Sequence, residues 1–108
     1  MPGEFALVDR IRDRAARRDD VVRGIGDDAA VLAVPAGHEL VVTCDTLVAG
    51  VHFPDGTAPA DVGYKALAVN LSDLAAMAAA PAWCTLALTL PEGDEAWLDA
   101  FLDGFLEL

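Results

Sequence analysis

Apolar residues recur at helical spacing in three parts of the chain. Leu67, Leu71, Leu74 and Ala78 follow one another at intervals of three or four residues, which predicts a helix over residues 60–80 that Pro81 ends. A second helix is predicted over residues 4–18. A third follows Asp94, a good N-cap residue, and its apolar face is Trp97, Leu98, Phe101, Leu102, Phe105 and Leu106.

Three other apolar segments lack this period and are richer in the β-branched residues that favour strands. Residues 29–34 and 39–46 flank the turn at 35–37 and predict a hairpin-type pair, and residues 83–90 predict a third strand. Residues 48–55 predict a loop or short strand that the turn sequence Pro54-Asp-Gly56 closes. Strands interspersed with helices indicate an α+β fold with α/β-type layers, and we expect residues 1–108 to form one domain.

The composition is that of a folded, acidic protein. Hydrophobic residues make up 55% of the 108 residues, which is too much for a disordered chain. The net charge of −11 repels nucleic-acid phosphates and anionic membranes, so neither is expected as a partner. An acidic protein binds a phosphorylated ligand when divalent cations lie between the two. No apolar run reaches the roughly 20 residues of a membrane span, and we expect a cytoplasmic protein with Cys44 and Cys84 as free thiols.

The first glycine-rich segment resembles a dinucleotide-binding fingerprint only superficially. Gly24, Gly26 and Ala29 fit its spacing, but a strand-like segment follows where a helix is needed. Asp27 and Asp28 would also repel a pyrophosphate. The acids themselves are therefore the more informative residues.

Asp28, Asp45 and Asp73 are candidate metal ligands on three different elements. Each also has an ordinary interpretation: Asp28 as a turn residue, Asp45 as a loop cap and Asp73 as a solvated helix residue. The ordinary interpretation is the more common one, because most acids in proteins lie on the surface. Asp73 is the most suggestive, because it stands in a helix made mainly of Ala and Leu. Three acids from separate elements would suit Mg²⁺, which prefers oxygen ligands.

Two further residues near these acids have alternative interpretations. His52 follows Gly50 and Val51 in a loop, where it is either structural or a substrate contact. Cys44 lies between Thr43 and Asp45. Burial is its simplest role, since a thiol is a poor ligand for Mg²⁺.

Three long motifs in order make the chain resemble the thiamine-monophosphate kinase family. They are Gly24-Ile-Gly-Asp-Asp-Ala-Ala30, Thr43-Cys-Asp-Thr-Leu-Val-Ala-Gly-Val-His-Phe53 and Gly63-Tyr-Lys-Ala-Leu-Ala-Val-Asn-Leu-Ser-Asp-Leu-Ala-Ala-Met77. The resemblance implies phosphoryl transfer from ATP to thiamine monophosphate, giving thiamine diphosphate, with several Mg²⁺ ions. It also implies the N-terminal domain fold of aminoimidazole ribonucleotide synthetase: a mixed sheet with packed helices, joined to that of a second subunit in a barrel across a homodimer.

The resemblance also implies roles for individual residues. The residues that would hold metal are Asp28, Thr43, Cys44, Asp45 and Asp73. His52 would contact thiamine monophosphate, and Asp27 would hydrogen-bond to a metal ligand without binding the metal itself. No side chain is assigned a covalent or acid–base role, because the acceptor is already a phosphate anion. The nucleotide-contacting residues are not predicted.

The chain departs from the family pattern at three points. Cys44 replaces a usual Thr, which matters if that position ligates through its side chain. Ala78 replaces a usual Gly and is expected to crowd a close backbone approach. The sequence stops at Leu108, before a later glycine-acid motif and the C-terminal domain, so we expect the 108 residues alone to be inactive.

Two alternative functions remain open from the sequence. The chain would be a non-catalytic dimerisation module or truncated remnant of the family, an alternative suggested by its abrupt end at Leu108 and by the exposed apolar face expected of its last helix. The second alternative is another superfamily member, which makes an imidazole ribonucleotide or a selenophosphate. The C-terminal half, which this sequence does not include, would normally decide between that reaction and the kinase reaction.

Overall fold

The computed structural model describes residues 3–90 and 94–108. In this part of the chain the elements are α1 (Glu4–Arg14), β1 (Val21–Arg23), β2 (Val31–Leu32), α2 (Pro59–Ala76) and α3 (Glu95–Phe105). The predicted α+β class is therefore confirmed. The chain divides into two compact units, Met1–Leu40 and Val41–Leu108.

The first unit contains α1 and a two-stranded antiparallel sheet. Val21 pairs with Leu32 and Arg23 pairs with Val31. The helix ends four residues before the predicted Arg18, because Ala15 is already extended, with φ −72° and ψ 143°. Continuing it to residue 18 would bring further like-charged arginines together at a spacing of four residues, which is unfavourable. Arg18 instead binds Asp20 in the following turn, at 2.6 Å.

The predicted hairpin between residues 29–34 and 39–46 is wrong. The partner of β2 is β1, a segment for which no strand was predicted, and residues 39–46 and 83–90 form no strand within the described residues. The sheet in this part of the chain is antiparallel and not mixed. Strand formation depends on a neighbour that accepts the backbone hydrogen bonds, and the residue preferences of these segments do not supply one. Val42 is 76% exposed as a result.

The second unit is organised around the contact between α2 and α3. Among its described residues, the buried apolar ones all lie on these two helices: Val62, Leu98, Phe101, Leu102 and Phe105. The Trp97 and Phe101 rings stack with centroids 5.3 Å apart, and Phe101 and Phe105 stack at 5.8 Å. Most of the apolar face of the last helix is therefore packed against α2, although Leu106 stays 42% exposed, and the packed part gives no support to the dimerisation-module alternative.

The two helices cross at glycines. A Cβ atom at Gly63 would collide with the carbonyl oxygen of Phe101, and one at Gly104 would collide with the carbonyl oxygen of Ala60. The obstacle in both cases is backbone, which cannot rotate away as a side chain does. Glycine at these positions lets the helix backbones approach directly.

Helix α2 begins at Pro59, a residue well suited to the first turn, and ends at Ala76, four residues before the predicted end. Its end is a Schellman motif, in which the Ala79 N–H binds the Leu74 carbonyl at 2.9 Å and the Ala78 N–H binds the Ala75 carbonyl at 3.0 Å. Ala78 consequently has φ 56°, in the left-handed region that favours glycine. This backbone conformation, rather than crowding, is what the structure shows at the position.

Helix α3 begins as predicted. The Oδ1 atom of Asp94 accepts a hydrogen bond from the Trp97 N–H at 3.1 Å, which satisfies one of the free donors of the first turn. None of the helices in residues 3–90 and 94–108 is both long and apolar enough to cross a membrane.

Candidate functional site

The second unit brings two of the candidate ligand residues together. The Oγ1 atom of Thr43 lies 3.5 Å from the Oδ2 atom of Asp73, although the residues are 30 positions apart in the chain. Asp73 lies on the last full turn of α2, and Thr43 lies in a segment without helix or strand that comes earlier in the chain. The hydroxyl donates a long, weak hydrogen bond to the carboxylate, and both oxygens are hard donors that suit Mg²⁺.

Asp45 and Cys44 follow Thr43 directly and are both exposed. No hydrogen bond within the described residues engages the Cys44 carbonyl oxygen, which is a better donor for Mg²⁺ than the thiol. The replacement of the usual Thr by Cys44 therefore leaves a suitable oxygen at this position.

Asp28 lies in the first unit, in the glycine turn between β1 and β2. Gly26 has φ 112° there, which a residue with a side chain rarely adopts. Asp27 is occupied by other partners: its Oδ2 binds Arg23 at 2.9 Å and its Oδ1 accepts the Asp28 N–H at 2.8 Å. The turn thus fixes Asp27 and leaves the Asp28 carboxylate exposed to solvent.

Some acids of the described residues have a cationic partner, and the three candidate carboxylates share the lack of one with other acids such as Asp61. Arginines of the first unit bind Asp9, Asp20 and Asp27. Within the described residues, Asp28, Asp45 and Asp73 form no ion pair. The oxygen chemistry of this set and its lack of a compensating charge fit a divalent cation.

The structure does not assemble a complete metal site. Among residues 3–90 and 94–108, no three His, Cys, Asp or Glu side chains lie close enough to hold an ion together. The only contact shown between candidate ligands in this part of the chain joins Thr43 and Asp73. The five-residue metal set remains a prediction.

His52 lies in a tight loop at residues 48–53 of the second unit, as the sequence predicted. Its backbone N–H donates to the Val48 carbonyl at 2.9 Å, and its Nδ1 accepts the Val48 N–H at 2.9 Å. The loop needs Gly50, which has φ 79°. Lys65 on α2 donates from Nζ to the His52 carbonyl oxygen at 2.6 Å.

Lys65 was missed by sequence reasoning, which treated it only as a count in the charge balance. The available signal was its isolation, because it is the single Lys or Arg between residues 24 and 108. Asn70 lies on α2, one turn before Asp73. Its Nδ2 donates to the Ala66 carbonyl oxygen at 2.8 Å, while its buried Oδ1 has no hydrogen-bond partner among the described residues.

A cavity of about 500 Å³ lies in the first unit. None of the predicted site residues lines it, and three arginines do, namely Arg12, Arg17 and Arg18. It does not mark the candidate site.

Comparison with known proteins identifies relatives over almost the whole chain. Residues 26–108 match the family described as AIR synthase related protein, N-terminal domain. Thiamine-monophosphate kinase of Escherichia coli is 59% identical over 107 residues, which are 98% of this chain and 33% of that protein. The Bacillus subtilis protein of the same name is 41% identical over 107 residues, covering 97% of this chain and 33% of that protein.

A solved structure agrees with these sequence matches. The crystal structure of thiamine-monophosphate kinase from Stenotrophomonas maltophilia superposes with a TM-score of 0.83 and 64% identity, over 98% of this chain and 34% of that one. The chain therefore spans about a third of the length of the relatives it matches.

Proposed function

The chain belongs to the AIR synthase related family, and on that basis we propose that it forms the magnesium-holding part of an enzyme that phosphorylates thiamine monophosphate with ATP. The name thiamine-monophosphate kinase, shared by the E. coli, B. subtilis and S. maltophilia relatives, supports this reaction over that of the other superfamily members. The product would be thiamine diphosphate.

The metal ligands proposed in the second unit are Thr43, the Cys44 carbonyl, Asp45 and Asp73. Asp28 is the metal ligand proposed in the first unit. Bound Mg²⁺ would neutralise the phosphate oxygens of the two substrates, which supplies most of what phosphoryl transfer needs. The Thr43 hydroxyl would orient the Asp73 carboxylate through the contact described above.

His52 would contact the phosphate of thiamine monophosphate. Its Nδ1 accepts a backbone N–H, so in the neutral ring the proton is on Nε2. That N–H is a donor for a phosphate oxygen. No general base is assigned, because the acceptor is an anion at neutral pH.

The contact between Thr43 and Asp73, two predicted ligands distant in sequence and close in space, is the observation that carries this proposal. The lack of a cationic partner at Asp28, Asp45 and Asp73 supports it.

Calorimetric titration of the 108-residue chain with MgCl₂ tests the metal site. We expect Asp73→Asn to abolish measurable binding, and Thr43→Val to weaken it by about tenfold through loss of the orienting hydroxyl. Asp61→Asn is the matched control, since Asp61 is an exposed acid on the first turn of the same helix. Equal Mg²⁺ affinity in Asp73→Asn and wild type would refute the assignment.

The reaction is tested by replacing the matched third of the E. coli relative with this chain and measuring thiamine diphosphate formed from ATP and thiamine monophosphate. We expect a magnesium-dependent activity that Asp73→Asn removes and Asp61→Asn retains. A hybrid that folds and shows no kinase activity would contradict the proposal.

We also propose a homodimer with ATP and thiamine monophosphate as its ligands. The support is the exposed apolar segment at residues 39–46, in which Leu40, Val41 and Val42 are 54%, 40% and 76% exposed. Sedimentation equilibrium checks this, and a strictly monomeric chain would count against it.

A further inference from the structure

The single cation of residues 41–108 is used in an unusual way. Lys65 stands there against ten acidic residues, which are Asp45, Asp55, Asp61, Asp73, Glu92, Asp94, Glu95, Asp99, Asp103 and Glu107. Among the described residues it pairs with none of them, and its Nζ instead donates to the His52 carbonyl oxygen at 2.6 Å. A short, charge-assisted bond to a backbone carbonyl fixes the position of that peptide group.

The peptide that Lys65 binds belongs to a loop that is already closed on itself. The Gly50 N–H binds the Phe53 carbonyl at 2.7 Å, and the His52 N–H binds the Val48 carbonyl at 2.9 Å. The imidazole completes the loop by accepting the Val48 N–H at Nδ1. His52 is therefore held at its N–H, its ring and its carbonyl, and only the carbonyl is held from outside the loop.

The ring contact determines which nitrogen of His52 faces outward. A backbone N–H can only donate, so Nδ1 is the acceptor and Nε2 carries the proton of the neutral ring. Within the described residues no hydrogen bond engages Nε2. The loop thus presents an N–H donor to solvent.

We propose that Lys65 is a positioning residue that holds the His52 loop on α2, so that the Nε2–H of His52 is presented to the phosphate of the acceptor substrate. The identity of that phosphate depends on the proposed function, whereas the positioning itself does not. Lys65 and Asp73 lie on the same helix eight residues apart, about 12 Å along its axis. One rigid element therefore carries the anchor of the loop and a candidate metal ligand.

Amide hydrogen exchange in the 108-residue chain tests the positioning. In Lys65→Met we expect the Val48 amide to exchange about tenfold faster, because the imidazole that covers it is no longer held. Lys65→Arg keeps a charged donor and should retain most of the protection, and Asp61→Asn should retain all of it. The Leu98 amide in the α3 core reports global unfolding and should be unchanged in all three variants.

Unchanged exchange at Val48 in Lys65→Met would overturn the proposal. So would a loss of protection at Val48 that is matched at Leu98, because Lys65 would then stabilise the whole unit rather than the loop.

Titration with thiamine monophosphate in saturating MgCl₂, carried out on the hybrid with the E. coli relative, provides the second measurement. We expect a several-fold higher Kd in Lys65→Met, recovery in Lys65→Arg, and the same Mg²⁺ affinity in both. A higher Kd with undisturbed Val48 exchange would mean that Lys65 touches the substrate itself, which contradicts a positioning role. If the hybrid bound no thiamine monophosphate while Val48 of the 108-residue chain still responded to Lys65→Met, the proposed substrate would be wrong and the positioning role would stand.

Discussion

Gly63 lies where α2 crosses α3, and its replacement by Ala gives a prediction whose sign is decided by the structure. In an open helix Gly→Ala is stabilising, by about 1 kcal/mol, because Ala has the higher helix propensity. At Gly63 the new methyl group would collide with the Phe101 carbonyl oxygen and would lie 3.0 Å from the Phe105 nitrogen. The helices must separate to accommodate it.

The expected cost follows from what that separation disturbs. Val62, Phe101 and Phe105 are buried at this crossing, and Leu98 and Leu102 are fully buried beside them. Overpacking a well-packed core typically costs about 1–3 kcal/mol, and a backbone obstacle favours the upper end. Subtracting the propensity gain of about 1 kcal/mol leaves a net destabilisation of about 2 kcal/mol.

Urea unfolding, followed by the combined fluorescence of Trp83 and Trp97 and by circular dichroism, measures this change. Ser72→Ala, at an exposed position of α2, is the control and should stabilise by a few tenths of a kcal/mol. Gly63→Ala and Gly104→Ala should be less than additive together, because helices that have separated for one methyl group accommodate the second more easily. A Gly63→Ala variant that is more stable than wild type would refute the close crossing.

Three further predictions concern single residues. Ala78→Gly should stabilise the chain by about 1 kcal/mol, since Gly removes the penalty of φ 56°, and a loss of stability in urea would contradict the left-handed cap. Asp94→Ala should destabilise it by about 1 kcal/mol through loss of the bond to the Trp97 N–H, whereas Asp94→Asn should restore most of this. Cys84 keeps part of its surface in solvent, and the protein around the rest raises the pKa of its thiol. The folded state therefore holds this proton more tightly than the unfolded state, so stability is lost as pH rises above about 9, and Cys84→Ser should weaken that dependence.

The elements that sequence predicted well are those whose determinants are local. The start of α3 follows from Asp94 and the spacing of Leu98, Phe101 and Leu102, which lie within two turns of the cap. Residues 39–46 and 83–90 were predicted as strands from composition, but a strand also requires a partner, and the described residues provide none. The preference for Gly at residue 78 was noticed, while its cause was visible only in the φ angle.

The candidate site was predicted unevenly for a similar reason. Asp73 stood out as an acid in an apolar helix, and its approach to Thr43 confirms that these two residues come together. Composition and spacing alone could not have paired them, because 30 residues separate them and the pairing came from a family resemblance. No pattern of chemically related residues pointed to Lys65. Its contact with His52 depends on a loop conformation that the sequence pattern does not specify.

The uneven placement of charge implies that the two units respond differently to ionic strength. Several arginines of residues 1–40 form short surface ion pairs, such as Arg18–Asp20 and Arg23–Asp27, which added salt screens and weakens. Residues 41–108 carry ten acids and one lysine, so salt there screens repulsion and strengthens folding. Buffer composition would therefore shift the balance of stability between the two units, and dilute buffers would penalise the unit that carries Asp45 and Asp73.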